Sequence, residues 1–516
     1  MTTYTFPGVY IEEVPSGIHT IVGVATSITG FIGWAAQGPT TQATLVQSWP
    51  EFQRVFGGLD SRSTLGYSVN QFFNNGGQQA YIIRLVDSTT AGSAKVSVPD
   101  TSSGTAFVAT ASSPGMWATF YGVRIVAKPG DATRFSVLVT YTPAGGSESI
   151  VESFTNLSND TADPQGRYVG SVVNSGSSFV QLSSITTVAP KPNPPGGGSP
   201  PSPYTLAGSS LDGSVLTPGT SGFHTALNAD NTGSGGVYLL DRVDLFNLLC
   251  VPAETDAATI ALLQGYCRTH RAFLIVDSDP TVSLATFEAN GPSSQITGKD
   301  SINSALYYPW VDAPDPLQQG RIDSYPPCGF VAGIYASTDA SRGVWKAPAG
   351  VDASLTGATG LDIPLTDLEN GTLNIMAVNC LRSFRVYGNV VWGARTLQGN
   401  DQVGSEWKYV PVRRLALYLE ESLYRGTQWA VFEPNDNPLW AQLRLNVGAF
   451  MHELYTKGAF QGASAREAYF VKCDGQTTTQ NDINMGVVNV WVGFAPLQPA
   501  EFVVLQIQQM AGQVQT

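Results

Sequence analysis

Two segments of this chain look like strands that have no partner nearby. One runs Phe6-Pro7-Gly8-Val9-Tyr10-Ile11-Glu12-Glu13-Val14-Pro15, the other Glu501-Phe502-Val503-Val504-Leu505-Gln506-Ile507-Gln508-Gln509-Met510. Both are short, rich in β-branched and aromatic residues, and bounded by Pro or Gly, the pattern of a strand. Neither lies beside a two-residue turn that would fold it into its own hairpin. A strand without a neighbour exposes N–H and C=O groups that another chain can pair with, and natural proteins normally blunt such edges. Keeping two of them points to a protein that hooks onto copies of itself.

Composition agrees with dense assembly. The chain has 516 residues, enough for several domains, and 42% of them are hydrophobic, so substantial cores are expected. Charged residues make up only 13%, against roughly 25% in ordinary soluble domains. Such a surface tolerates being covered by neighbours. The net charge of −13 and the lack of a Lys/Arg cluster argue against nucleic acid and acidic membranes as partners. Cys250, Cys267, Cys328, Cys380 and Cys473 are scattered and odd in number, which reads as buried thiols in a reducing compartment. No secretory leader and no apolar run of spanning length is read, so synthesis in the cytosol without membrane insertion is expected.

Organisation follows from shifts in pattern. Residues 1–20 form the first arm. Residues 21–86 read as a compact unit: a buried strand at Ile28–Ala35, a helix opening at Ser48-Trp49-Pro50-Glu51, a second helix over Leu65–Phe73, and a core strand at Gln79–Val86. Residues 87–236 are rich in Ser, Thr, Gly and Pro and read as an all-β insertion, with strands at Lys95–Val98, Gly122–Ala127, Arg134–Tyr141 and Phe179–Leu182 and a Pro/Gly loop at 189–203. Residues 237–400 take an α/β rhythm. Strands at Val243–Val251 and Arg271–Asp277 flank a helix at Glu254–His270, which implies a parallel pair with a right-handed crossover. In 401–516, Pro411 opens a helix with Val412, Leu415, Leu419 and Leu423 on one face, stopped by Gly426. Asn437-Pro438 caps a second, with Leu439, Leu443, Val447, Met451 and Leu454 as its stripe. Strands at Ala468–Cys473, Gly486–Phe494 and Glu501–Met510 complete the chain. The expected fold class is a mixed α/β (α+β) core with an inserted β domain and exchanged terminal strands.

Motifs that resemble catalytic sites do not assemble into one. Asp277-Ser278-Asp279 closes a strand as a metal-binding Asp pair would, yet no further acids or nucleotide pocket accompany it and Pro280 suits a turn. Gly291–Lys299 has the wrong spacing for a phosphate loop, and Asp300 stands where a Ser or Thr would hold magnesium. Gly233–Gly236 lacks the dinucleotide fingerprint. Cys267 and His270 have ligand spacing but no second pair. None of His19, His224, His270 and His452 sits in a recognisable nucleophile–base context. No catalytic residue, metal or cofactor is expected.

Several motifs in series resemble contractile tail sheath proteins. They are Phe6–Gly17, Gly23–Gly33 with Gly38-Pro39, Phe52-x-x-Val55-Phe56-Gly57-Gly58, and Asn74-Asn75-Gly76-Gly77-x-x-Ala80–Arg84; then Tyr409–Arg414, Phe432-Glu433-Pro434-Asn435-Asp436 with Leu439-Trp440, Asn484-x-Gly486, and Val492-Gly493-Phe494-Ala495-Pro496-Leu497-x-Pro499–Val503. The insertion carries none of them. The resemblance implies a subunit that polymerises around an inner tube and contracts by rigid-body rotation, driving the tube through a target envelope. It implies donated strands at Val9, Tyr10, Ile11, Glu12, Glu13 and Val14 and at Phe502, Val503, Val504, Leu505, Gln506 and Ile507. The receiver would contain Val488, Asn489, Val490, Trp491 and Val492. Arg444, His452 and Lys457 would face the tube, and the insertion would face outward. Partners would be many copies of the chain, the tube, and baseplate and cap proteins, in an injection particle or phage tail assembled in a bacterial cytoplasm. The opening at Thr20–Ser27 looks more like phage-tail-like bacterial injection systems than like many phage sheaths. The alternatives are another self-assembling shell or surface-layer protein, or a metal-dependent sugar transferase built on Asp277 and Asp279.

Overall fold

The computed structural model describes residues 19–193, 202–209, 211–228 and 235–505. The expected donor residues Val9, Tyr10, Ile11, Glu12, Glu13 and Val14, and Gln506 and Ile507 at the other end, lie outside the described residues. The chain divides into two compact units. The larger takes Thr26–Ser341 and Pro348–Lys408; the smaller, among the described residues, takes 19–25, 342–347 and 409–505.

The larger unit is built on an eight-stranded sheet. Its spatial order is Gly388–Val391, Val378–Phe384, Ser304–Tyr308, Phe273–Asp277, Leu248–Cys250, Thr29–Trp34, Ala80–Leu85 and Thr44–Val46. The six inner strands are parallel; the two outermost pair antiparallel. Parallel strands covered on both faces read as continuous apolar runs rather than alternations; Phe273–Asp277 is buried at every position. One face contributes Ile32, Trp34, Ile83, Leu249, Leu274 and Leu306 to the main core. On the other, Phe31 meets Phe72 of the helix Leu65–Asn74, and the Tyr307 and Tyr335 hydroxyls lie 2.7 Å apart. That helix approaches the helix Cys328–Arg342 closely because Gly329 and Gly333 are bare: a Cβ there would lie 2.4 Å from Ser68 O and 2.7 Å from Phe72 O.

Chain order across the inner strands reverses between Thr29–Trp34 and Leu248–Cys250, making the sheet doubly wound. The expected strand Val243–Val251 shrinks to Leu248–Cys250: a 3-10 helix over Gly236–Arg242 ends at Val243, and the ladder begins only at Leu248, opposite Thr29. The crossover helix is Ala257–Thr269, capped by Asp256 accepting from Thr259 N at 2.8 Å.

The inserted region forms two antiparallel sheets. One orders Lys95–Pro99, Thr105–Ala111 and Val180–Ser183; the other orders Tyr204–Thr205, Tyr121–Lys128, Asp131–Tyr141 and Ser149–Leu157. They share a core that includes Phe107, Val123, Val137, Val139 and Leu157. The region is not wholly β. A helix Val169–Gly176 adds Val169 and Val173, one turn apart, to that core, and a 3-10 helix spans Met116–Phe120.

Two buried charges tie loops to the sheet. The Arg84 guanidinium, 2% exposed, donates to Ala35 O, Gly38 O, Ala36 O and Pro114 O at 2.7–3.0 Å. It thereby joins the turn after Trp34 to the edge of the insertion. Burial pushes its pKa down to about 10, partly opposed by the Asp212 charge, so it stays cationic at neutral pH. Asp277 accepts from Ala253 N at 2.9 Å and Cys328 N at 2.8 Å, and burial pushes its carboxyl up to about 6.

Replacing Arg84 by Met leaves four carbonyls without their donor. We expect a loss of roughly 3 kcal/mol, read as a lower urea midpoint at unchanged slope; an unchanged midpoint refutes the clamp. Asp277 binds its proton more tightly folded than unfolded, so its stabilising contribution is present below about pH 4 and is lost as pH rises through 6, by about 3 kcal/mol in all. The stability difference between wild type and Asp277→Asn therefore falls across that window in urea titrations, and a flat difference contradicts the assignment.

Candidate assembly surfaces

The smaller unit is organised by two helices, Val410–Gly426 and Asn437–Thr456. Their apolar stripes meet: Leu415 and Leu419 pack with Val447, Phe450, Met451 and Leu454. The cap of the second helix is Asp436, one residue before the expected Asn437. Its carboxylate accepts from Leu439 N at 3.2 Å, and Pro438 occupies the first turn, where no N–H is needed. Gly426 does not stop the first helix with a left-handed turn; it is the last helical residue, and Thr427 caps the end. Its lack of a side chain has another use, since a Cβ there would lie 2.6 Å from Ile21.

That contact belongs to a seam sequence reasoning missed. Residues 19–25 run along the first helix with Ile21 buried in its core. Gly23 admits the Tyr418 hydroxyl where a Cβ would clash, Val24 N donates to Ser422 Oγ at 3.2 Å, and His19 stacks on Trp429 at 4.2 Å. The segment leading to the expected donor arm is therefore pinned. The signal was present in the glycine at 23, but its partner is almost four hundred residues away.

The expected receiver is a hairpin. Tyr469–Lys472 pairs antiparallel with Trp491–Phe494, in the register Tyr469↔Phe494 to Lys472↔Trp491. Tyr469, Val471, Val492 and Phe494 pack toward the helix core; Phe470 and Trp491, 56% and 54% exposed, lie on the opposite face. The strand is shorter than Gly486–Phe494. Asn489 N donates to Thr478 Oγ1, and Val487 O accepts from Asn435 Nδ2, so residues 486–490 spend these backbone groups outside any ladder. Val488 and Val490 pack instead against Leu439, Trp440, Leu443 and Cys473. Among the described residues the hairpin has no third strand; just past it Phe460 forms an isolated bridge with Pro496, and Gln461 N donates to Ala495 O at 2.9 Å.

The expected strand Glu501–Met510 forms no ladder over its described part, 501–505, where no strand among the described residues pairs with it. Phe502, Val503, Val504 and Leu505 are 75–82% exposed. The three residues expected to face a tube do not share one surface. Arg444 and Lys457 stand about 140° apart around the helix axis, and Arg444 and His452 about 80°. Arg444 donates to Cys473 O, and Lys457 pairs with Glu453 at 2.6 Å, which raises the lysine pKa. His452 lies near the rings of Tyr455 and Tyr469.

Asp277 and Asp279 are engaged locally. Asp277 spends both oxygens on backbone amides as above, and Asp279 Oδ1 accepts from Thr281 N and Oγ1 at 2.8 and 2.7 Å. Among the described residues no three His, Cys, Asp or Glu side chains converge as a metal site, and the five cysteines are buried and unpaired by disulfides. No helix among those residues is long and apolar enough to cross a membrane.

Comparison with known proteins bears on this architecture. A putative prophage major tail sheath protein of Pseudomonas aeruginosa (strain UCBPP-PA14) is 25% identical over 274 residues, 51% of this chain and 66% of that protein. A tail sheath protein of Vibrio phage KVP40 is 24% identical over 164 residues, 31% of this chain and 24% of that protein. The chain thus spans less than two thirds of the length of these relatives. The fold is that of the anti-feeding prophage helical sheath in its contracted state, with TM-score 0.59 and 24% identity over 98% of this chain and all of that one. Residues 243–397 match the phage tail sheath protein central domain and 402–510 the phage tail sheath C-terminal domain. These two domains, in series over just over half of its length, place the chain in the phage tail sheath protein family.

Proposed function

We propose that the chain is a structural subunit of a contractile sheath, linked to its neighbours by exchanged strands. The observation that carries this reading is the open hairpin of Tyr469–Lys472 and Trp491–Phe494. Two four-residue strands are marginal alone, and sheets gain independent stability from three or more. The same chain supplies an exposed apolar segment at 502–505 that pairs with no strand among the described residues. Adding that segment, and the arm leading into His19, to the hairpins of neighbouring copies satisfies donor and receiver together.

The role is structural rather than catalytic. Subunits surround an inner tube and meet baseplate and cap proteins at the ends, as part of an injection particle or phage tail. Contraction is a rigid-body rotation of each subunit between two packings, with the exchanged strands as tethers. The pinned seam at Ile21, Gly23 and Val24 suits this, because pull on the arm is delivered to the Val410–Gly426 helix rather than dissipated in a loose linker. Arg444 donates to Cys473 O and Lys457 is matched by Glu453, which leaves exposed His452 as the better candidate for a tube contact.

Removing residues 501–516 is expected to abolish striated tubes in negative-stain electron microscopy while the thermal unfolding midpoint of the monomer stays within a few degrees of wild type. Long sheaths from the truncated chain would refute strand exchange at this end. Val492→Pro, which removes a ladder donor in the receiver, is expected to shorten or abolish tubes in the same way; normal tubes would show that this strand is not the receiver.

A further inference from the structure

We propose that the larger unit binds a primary alkylammonium group in a cavity over the reversal point of its sheet. The inference does not rest on strand exchange. In doubly wound sheets, ligands settle outside the carboxyl ends of the strands where the chain order reverses. Here that point lies between Thr29–Trp34 and Leu248–Cys250. Ser63 Oγ donates to Trp34 O at 2.7 Å, and Thr64 Oγ1 donates to Pro252 O at 3.3 Å. The loop before the helix Leu65–Asn74 is thereby tied to the end of one strand and to the residue just past the other. A cavity of ≈ 240 Å³ opens beside it, bordered by Ser63, Thr64, Tyr67, Asp315, Asp323 and Tyr325. That is below the usual range for ligand pockets and leaves room for one compact group.

The wall of this cavity carries unbalanced negative charge. The strands Val311–Asp315 and Arg321–Tyr325 pair antiparallel and bring Asp315 and Asp323 to it. Asp315, 2% exposed, accepts from Tyr67 Oη at 2.9 Å, Leu317 N at 2.8 Å and Gln318 Nε2 at 2.8 Å, all neutral donors, and Arg321 stands opposite it in the ladder. Asp323 is exposed and accepts from the adjacent Ser324 N; among the described residues it makes no ion pair. Arg62 also borders the cavity, but its guanidinium is spent on Asp60 at 2.7 Å and Asp212 at 2.9 Å.

A second, independent feature points to a ligand. Tyr325 stacks on Tyr67 at 4.8 Å and is 6% exposed, yet its hydroxyl has no hydrogen-bond partner. The Tyr67 hydroxyl cannot donate to it, because its one proton is committed to Asp315. Ser324 Oγ, also shielded from solvent, has no partner either. Such groups are uncommon, since each forgoes its bonds to water without replacement. An alkylammonium group brings three N–H donors and one positive charge, which Asp323 and the two hydroxyls can accept. An anion would face two carboxylates. A divalent cation would lack its shell of oxygens, because among the described residues no three acids, His or Cys converge.

The test is calorimetric titration of the full-length chain with n-butylammonium chloride at low ionic strength. We expect saturable binding, weakened about tenfold or more by Asp323→Asn and by Tyr325→Phe, and no saturable heat from n-butanol or butyrate. Binding that Asp323→Asn leaves unchanged, n-butanol binding as tightly as the ammonium, or no saturable heat from n-butylammonium overturns the site. Thermal midpoints of the variants are measured alongside; if Tyr325→Phe lowers its midpoint, Ser324→Ala takes its place with the same expected loss. Putrescine and the N-acetyl, N-methylamide derivative of lysine are titrated in parallel. Tighter binding of the diamine assigns a free small molecule and tighter binding of the lysine derivative a protein side chain, and either result upholds the ammonium site.

Discussion

Every backbone N–H and C=O removed from water needs a partner, and this requirement organises both units in opposite ways. In the larger unit it is met internally. Six parallel strands exchange hydrogen bonds along their buried lengths, two antiparallel strands flank them, and Arg84 reaches the carbonyls of the turn at residues 35–38 that no strand can serve. In the smaller unit, among the described residues, the ladder of Tyr469–Lys472 and Trp491–Phe494 stops after two strands. A chain that completes one sheet and leaves another open is suited to being a link.

The details that hold each unit together are those of close approach. Gly329 and Gly333 let two helices touch through their backbones, and Gly23 and Gly426 let the incoming segment lie against its helix. In each case the missing Cβ is the means of contact. Large rings then fill the spaces: Phe31 against Phe72, Tyr307 against Tyr335, Tyr418 near Phe450. Rigid units of this kind can move as bodies, because dense packing resists gradual deformation.

Much of this was legible in the chain. The strands at 29–34, 80–85 and 273–277 and the helices from 65, 410 and 437 follow from apolar periodicity, Pro at first turns and capping residues. The inserted region was harder. Thr105–Ala111 and Ser149–Leu157 are rich in Thr, Ser and Ala and give little contrast between faces, and the helix Val169–Gly176 is built on two valines one turn apart. The hairpin expected to act as receiver was half legible. Val488, Val490 and Val492 alternate as read, but only the last lies in the strand, because the Thr478 hydroxyl takes the Asn489 N–H and bends the segment onto the second cluster.

By itself the sequence determined which segments bury apolar faces, that two stretches of strand character have no two-residue turn beside them, and through its motifs which family the chain resembles. Those are properties of neighbours along the chain, and periodicity and turn chemistry carry them. Only the tertiary structure decided the strand order with its reversal between 29–34 and 248–250, the buried clamp of Arg84 and the commitment of Asp277 to backbone amides. It also decided the seam of residues 19–25. Each depends on contacts between residues far apart in sequence, which leave no local pattern to read.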